Sequence, residues 1–522
     1  MYEDEEKQIF GIKNKVFRSY GSNNTDNNST IQNKLINFFK MLFILVIIIL
    51  VLFFIFYIRN IIKKGTNSQN IDNLQQNFGQ LYNLKTNNES EISNNQYLQN
   101  KLDNNTLNIA DNNNNINKLG VAFVYSTLFS NGIARFITIT SNYLVETGKY
   151  DVYVITGKPY SKEYKINDKI KRFVGHNNMT IIKNITKYYK IDYFILQNVL
   201  SKSTINWYKS LGAKILGMFH GNYMSAMFLN DPFIYKHWKQ FDLLDAYIFI
   251  TADDYYFYNK LNFKNHIFIP NLYTFEPSKL ENSNLTYNNI MMLGRQNDKI
   301  KGAIYAVKAM DLIVKEVPDA KLNIITSDSR IEFLKNLTNE LNLTDSVKII
   351  YHTYDISKYF YNSSIHLFTS LSEAFPMAMN EGKAHGLPIV AFDVPISPPY
   401  QSGVITVESL NYAALAKECI KLLKDYDYRR KMGENAKLSL NRFSNYETVG
   451  MWDKLFTVLR EGEDKFRLFQ KEIEEKYYNE ENARIHIEKH FKDMQRYNSN
   501  FSCYTLENFT NEYYASNIKA CD

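Results

Sequence analysis

Apolar residues along the chain form runs of very different character. The first, Met41 to Ile58 (MLFILVIIILVLFFIFYI), is continuous and uncharged. Eighteen residues at ~1.5 Å rise span ~27 Å, close to the hydrocarbon thickness of a bilayer, so the run predicts a transmembrane helix over 41–58. It is preceded by about forty residues, too many for the n-region of a cleaved signal peptide. Residues 59–118 follow as a polar, Asn-rich spacer that cannot bury enough apolar surface to offset chain entropy. They read as a flexible stem, and residues 1–40 as an unstructured tail.

The pattern changes at Leu119. Short, continuous apolar runs recur at Gly120–Ser126, Asp151–Thr156, Tyr193–Gln197, Lys214–His220, Ala246–Thr251 and His266–Asn271, with amphipathic stretches between them. Runs that do not alternate predict strands buried on both faces of a parallel sheet, joined by helices in βαβ units. After the polar bridge Glu276–Asn288 the rhythm repeats at Asn289–Arg295, Lys321–Ser327, Val347–His352, Ser364–Ser370 and Pro388–Val394. The chain is therefore α/β, with two doubly wound Rossmann-like domains over 119–280 and 281–445, then C-terminal helices and a tail over 446–522. Ligands of such sheets bind at the carboxyl ends of the strands, here a cleft between the two halves. The charged stretch Glu461–Tyr497 reads as a solvated or self-associating helix, with His486 and His490 on its solvated face.

Composition narrows the function. The chain of 522 residues is 45% hydrophobic and 22% charged, as expected of a folded enzyme. A net charge of +7 gives no broad basic surface, so no nucleic-acid partner is expected. Cys419, Cys503 and Cys521 fit neither a disulfide framework nor a zinc site. Cys503 and Cys521 could pair only in an oxidising compartment. Lysines and arginines flank 41–58 on both sides, and Asn-x-Ser/Thr sequons such as Asn88, Asn104, Asn178, Asn184 and Asn336 are numerous in so Asn-rich a chain. Neither decides which membrane face carries the folded halves.

The densest chemistry lies in Phe368–Val394, FTSLSEAFPMAMNEGKAHGLPIVAFDV. A strand ends at Ser370, Glu373 sits on the next loop, a helix starts near Pro376, and Glu381 falls inside it. The amides of Ala374, Phe375 and the first helical turn can hold an anion, and the two carboxylates can accept from hydroxyls. Gly386 ends the helix and Pro388 opens the next strand.

This string, Ser370 to Pro376, then Glu381–Gly382 and Ala384 to Ala391, resembles the retaining GT-B glycosyltransferases of family 4, which carry a Glu-x7-Glu signature in a similar frame. The resemblance covers roughly Leu119 to Arg460. Met292–Leu293–Gly294–Arg295 with Lys301–Gly302 is similar to that family's strand-end Gly-Arg and downstream Lys-Gly. It implies that Arg295 and Lys301 neutralise the diphosphate leaving group without a metal, with Lys299 as a competing candidate. Ser130–Asn131–Gly132–Ile133–Ala134–Arg135 is similar to the family's glycine loop, with Asn131 in place of the second glycine; Asn tolerates positive φ, which would keep the turn. His220 stands at a strand end where the family's histidine approaches sugar and acceptor, and Ile269–Pro270–Asn271 resembles the family's strand end before the linker.

The resemblance implies a hexosyltransferase that uses a nucleotide-sugar, a UDP-sugar first, and acts on a hydroxyl acceptor with retention; the run 41–58 makes it membrane-anchored. Glu373, His220, Arg295 and Lys301 would be catalytic. Gly132, Gly294, Arg295, Lys301, Glu373, Ala374, Phe375, Pro376 and Glu381 would bind the donor, Glu381 at the ribose, with 119–280 as the acceptor domain and 281–445 as the nucleotide-sugar-binding domain. Neither glutamate is expected to hold the core together. No cofactor or metal is expected: Asp253–Asp254 lacks the spacing of the metal-binding aspartates of GT-A transferases. Partners would be the donor, a glycan, lipid-linked or glycoprotein acceptor, and an ER or Golgi membrane. The rival readings are an inactive, membrane-tethered binding or scaffold protein on this fold and a nucleotide-sugar epimerase.

Overall fold

The computed structural model describes residues 118–497 apart from 130, 161–162, 198–200, 224–239, 295–297, 327–330, 352, 354, 395–401 and 478, with backbone only for 298, 299 and 493–497. The tail, the run 41–58, the stem to residue 117, Ser130, Arg295, Cys503 and Cys521 lie outside the described residues. Among the described residues no helix is long and apolar enough to cross a membrane.

The first half is a seven-stranded sheet, in order β3-β2-β1-β4-β5-β6-β7, all neighbours parallel. Its strands are β1 Leu119–Val124, β2 Tyr150–Thr156, β3 Lys171–Val174, β4 Tyr193–Gln197, β5 Lys214–Phe219, β6 Ala246–Phe249 and β7 His266–Phe268. The helices α1 Gly132–Glu146, α2 Met179–Tyr188, α3 Lys202–Lys209 and α4 Ala252–Lys260 connect them. The second half is a six-stranded parallel sheet, in order β10-β9-β8-β11-β12-β13. It comprises β8 Asn289–Leu293, β9 Lys321–Thr326, β10 Val347–Tyr351, β11 Ile365–Phe368, β12 Ile389–Phe392 and β13 Val404–Val407. Between its strands run α5 Asp298–Lys301, α6 Ala303–Glu316, α7 Ile331–Glu340, α8 Ser357–Tyr361 and α9 Met377–Ala384. The helices α10 Tyr412–Lys424, α11 Tyr426–Ser439, α12 Asn445–Glu461, α13 Glu463–Tyr477 and α14 Glu480–Tyr497 complete it.

Both sheets reverse their strand order beside the first strand of each half, next to β1 and β8, which is where a doubly wound sheet opens its crevice. The central strands β4 and β11 are buried along their whole length, as their continuous apolar runs require.

Three features depart from the sequence expectations. The edge strands β3 and β13 are additional: their residues are mostly half-exposed, so their apolar signal is diluted. The helices after Arg460 are not a solvated or self-associating appendage, because they fold back onto the first half. Phe466, Phe469, Ile473 and Tyr477 on α13 and Ala483, Ile487 and Phe491 on α14 recur every three or four residues and are buried. His486 and His490 lie on that buried stripe, 9% and 1% exposed, rather than on a solvated face. Finally, α12 crosses to α1: Trp452 packs 6.3 Å from Phe136, and the Tyr193 hydroxyl donates to the Phe456 carbonyl at 2.5 Å. Among the described residues, the last helices thus return to the half that β1 opens.

Candidate active site

On the second half, the site grows from the end of β11. The Thr369 hydroxyl donates to the Lys301 carbonyl at 2.9 Å, and the Leu371 amide to the Ile300 carbonyl at 2.7 Å. This stitches the short helix α5 to the strand end. Gly302 makes the approach possible: its φ is +66°, and a Cβ there would lie 2.3 Å from the Thr369 carbonyl oxygen. Lys301 is thereby set against Glu373, and the two form an ion pair whose side chains are 22% and 11% exposed.

Beyond Glu373, α9 begins at Met377 with no side-chain cap, Pro376 standing at its N-cap. Its first-turn amides therefore have no side-chain acceptor, and with the helix dipole they favour an anion. The other end of α9 is closed by a Schellman motif: Leu387 N–H donates to the Gly382 carbonyl at 3.1 Å and Gly386 N–H to the Lys383 carbonyl at 2.9 Å. Gly386 takes the required left-handed conformation, φ +72°.

The first half supplies the opposite wall. Asn131 caps α1, its side-chain oxygen accepting from the Ala134 amide at 2.8 Å. Its backbone is extended (φ −144°), not left-handed: an Asn at this place satisfies an orphan helix amide, which a glycine could not do. His220, after β5, is held by Gln197 at the end of β4, Nε2 to Oε1 at 2.6 Å. Desolvation in the cleft pushes its pKa down to about 3, so the ring is neutral. Asn222 donates from Nδ2 to the Glu373 carbonyl, tying the halves together.

The walls enclose a cavity of ≈ 430 Å³, within the size range of ligand sites, about 300–1,000 Å³. Gly132, His220, Lys301, Glu373, Ala374, Phe375 and Pro376 all line it. So does Asn271, whose buried Oδ1 has no hydrogen-bond partner and can accept from a ligand. Glu381 and Gly294 are not in its lining. Gly294 donates to the Ile325 carbonyl at 2.8 Å, and a Cβ there would meet only ordinary contacts from 3.6 Å. Arg295 lies outside the described residues, and Lys299 is described by its backbone alone.

Glu381 is 2% exposed and bridges the halves. Its Oε1 pairs with Arg135 on the first turn of α1 and accepts from the Thr274 hydroxyl at 2.8 Å, while Oε2 has no hydrogen-bond partner. The expectation that Glu381 holds nothing together is therefore corrected: a nearly buried carboxylate joined to a cation of the other half is part of the closure. Nothing in the sequence pairs these two residues, which lie 246 positions apart.

Among the described residues no group of three or more His, Cys, Asp and Glu could hold a metal ion. The aspartates at the start of α4 are structural. Asp254 accepts from the Tyr223 amide at 2.7 Å and the Thr251 hydroxyl at 2.6 Å, and burial pushes its pKa up to about 7. Asp253 Oδ2 stands 2.6 Å from His486 Nδ1, which pins α14 to α4.

Residues 276–439 match the family model of glycosyl transferases group 1. Over 93 residues the chain is 42% identical to an uncharacterized glycosyltransferase of Haemophilus influenzae, covering 18% of this chain and 26% of that protein. Over 218 residues it is 25% identical to the poly(glycerol-phosphate) alpha-glucosyltransferase of Bacillus subtilis, covering 40% of this chain and 32% of the relative. The chain thus spans about a quarter to a third of the length of these relatives. Anabaena Alr3699/HepE, crystallised in complex with UDP-glucose, superposes with a TM-score of 0.51 at 11% identity, over 65% of this chain and 99% of that one. The chain carries a glycosyl transferases group 1 domain, and its two parallel sheets form a GT-B fold.

Proposed function

We propose that the chain is a retaining, family 4 glycosyltransferase, anchored in an ER or Golgi membrane by residues 41–58. It moves a hexosyl group from a UDP-sugar to a hydroxyl of a glycan, lipid-linked or glycoprotein acceptor. The observation that carries this reading is the Lys301–Glu373 ion pair beside the uncapped start of α9, at the mouth of a cleft between two parallel sheets. A lysine already held by a carboxylate can exchange that partner for a diphosphate, and first-turn amides add fixed positive potential.

In this reading the donor's C1–O bond to the diphosphate breaks while the acceptor oxygen bonds to C1 on the same face. The acceptor proton passes to the departing phosphate oxygen. Lys301, with Arg295, carries the charge that develops on the leaving group. Glu373, released from Lys301, accepts from sugar hydroxyls; Glu381 accepts from the ribose once Arg135 shifts. His220, neutral, can accept a hydrogen bond on the acceptor side.

The test is a screen of nucleotide-sugars with the full-length chain, following release of nucleoside diphosphate. Turnover of a UDP-hexose with an α-linked product from an α-linked donor is the expected result. Binding of UDP without turnover of any donor would make the protein a tethered binder instead.

A further inference from the structure

The bond between His220 and Gln197 decides more than where the imidazole lies. Gln197 is buried at the end of β4. The register of the sheet pairs it with Met218 of β5, and strand alternation brings His220, two residues on, to the same face. A carboxamide has one end that donates and one that accepts, and here the backbone selects between them. The second contact of the Gln197 side chain is the Ile195 carbonyl, at 3.3 Å, and a carbonyl only accepts. The amide nitrogen must therefore face Ile195, which leaves Oε1 to face the ring.

Oε1 also only accepts, so the ring nitrogen 2.6 Å from it, Nε2, must carry a hydrogen. A neutral imidazole has one N–H, and Nδ1 is then bare. Burial keeps the ring neutral, with no charged neighbour contributing to its lowered pKa. The ionisable groups that line the same cavity, Lys301 and Glu373, pair with each other. Turning the ring over would set a carbon against Oε1 and leave both partners unpaired. The ring also packs on buried Phe136, centroids 5.0 Å apart, which Trp452 of α12 backs at 6.3 Å.

We infer that Gln197 is a positioning residue of the reaction centre: it holds His220 as the Nε2–H tautomer, so that Nδ1 meets the substrate only as a hydrogen-bond acceptor. The partner of Nδ1 is then a substrate hydroxyl and not a diphosphate oxygen, which brings no proton. His220 is thereby excluded as the acid that protonates the leaving group. This role in turnover rests on the transferase reading above; the tautomer does not. Nitrogen-15 NMR of the full-length chain labelled in histidine tests it, the His220 signals being those that His220→Gln lacks. Near neutral pH they should be those of a neutral Nε2–H ring in the wild type and of a mixture of tautomers in Gln197→Leu. The kcat of Gln197→Leu should fall about two- to tenfold, the worth of one hydrogen bond, with the donor KM little changed. Gln197→Glu keeps the shape and the acceptor but sets a carboxylate against the ring, which favours the imidazolium. Its turnover should come close to wild type at about pH 8 and fall away from it towards about pH 5, as Nδ1 gains a proton. An Nδ1–H ring or an imidazolium in the wild type overturns the inference. So does an unchanged kcat in Gln197→Leu, or the wild-type pH profile in a Gln197→Glu protein whose melting curve shows it folded. If the ring is the Nε2–H tautomer and no donor is ever turned over, the transferase reading falls while the hold of Gln197 on the ring stands.

Discussion

The two walls of the cleft are built on the same kind of parallel sheet and present opposite chemistry. The wall from the second half is ionic: Lys301, at the end of α5, meets Glu373 and the uncapped first turn of α9, which follow β11. The wall from the first half is neutral: Tyr125, Asn131, His220 and Asn271. A site that must hold a diphosphate needs fixed positive charge on one side. A site that must also admit a neutral hydroxyl gains nothing from charge on the other, where an unpaired ion would cost desolvation. The contrast separates by location what reads charge from what reads shape.

The largest effect that can break this contrast is at Lys301. Lys301→Ala removes the described cation of the ionic wall and leaves Glu373 without its partner. Donor turnover should fall by roughly 100- to 1,000-fold, as when other preorganised charge-stabilising groups are removed. The KM for the acceptor, which the neutral wall receives, should be unaffected. A parallel rise in the acceptor KM, measured alongside kcat/KM for donor in one folded protein, would mean that the walls are not separable.

The next effect separates the two glutamates. Glu373→Gln should lower kcat about ten- to a hundred-fold, the worth of one hydrogen bond to a charged group. Its side chain sits at the cavity edge, so melting should stay close to wild type. Glu381→Gln should raise the donor KM and also melt earlier. It leaves Arg135 nearly buried without its anion, a loss of about 3 kcal/mol for a buried pair. An Arg135→Met, Glu381→Gln double variant should recover part of that stability, since neither partner is then stranded. Equal melting of Glu381→Gln and wild type would show that the bridge between the halves carries no weight.

The walls also differ in how they are written in the sequence. The ionic wall was legible because Phe368–Val394 carries strand end, loop, helix start and Schellman close in one uninterrupted string. The neutral wall is assembled from the ends of β1, β5 and β7 and from the cap of α1, and no string links Tyr125, Asn131, His220 and Asn271. Of these His220 was legible by standing at a strand end, and Asn131 and Asn271 within two separate short motifs, but nothing local brings them together. The same distinction holds for the fold. Strands buried on both faces announced themselves, whereas β3 and β13, half-exposed at sheet edges, did not. The charged residues of α13 and α14 hid a sparse apolar stripe that decides where those helices lie. Arg135 was visible as part of a loop motif, but its partner was not, since an ion pair across two domains leaves no local pattern.

A smaller effect touches both halves alike. His266 in the first half and His366 and His385 in the second are buried, and desolvation pushes their pKa values down to about 4, 3 and 4. Below an unfolded-state value of 6.5 the unfolded chain takes up protons that the folded chain refuses, so stability is lost as pH falls from about 6.5 towards 4. Asp254 works the other way: its pKa is raised from 3.8 to about 7, which favours the folded state as pH falls through that range. With His220 and His490, whose pKa values burial also pushes down, five rings stand against one carboxyl, so acidification should still lower the melting temperature. His366→Asn should flatten the profile, and a melting temperature that rises from pH 6.5 to 4 would reverse the sign assigned to these rings.

The smallest expected effect is none, and it concerns whether the ionic wall is complete. If Lys301, Arg295 and the first turn of α9 together match the charge of a diphosphate, a divalent ion adds nothing that catalysis requires. Donor turnover should then be the same in excess EDTA as in magnesium or manganese. Among the described residues that line the cavity the neutral wall supplies no carboxylate, and Asp253 and Asp254 are committed to His486, Thr251 and the Tyr223 amide. The comparison has a built-in control, because Lys301→Ala weakens the wall by one charge. Should magnesium rescue that variant while leaving the wild type unchanged, the lysine does the work that a metal does elsewhere. Abolition of wild-type turnover by EDTA, restored by a divalent ion, would mean that the ionic wall is unfinished without metal and that its charge has been misassigned.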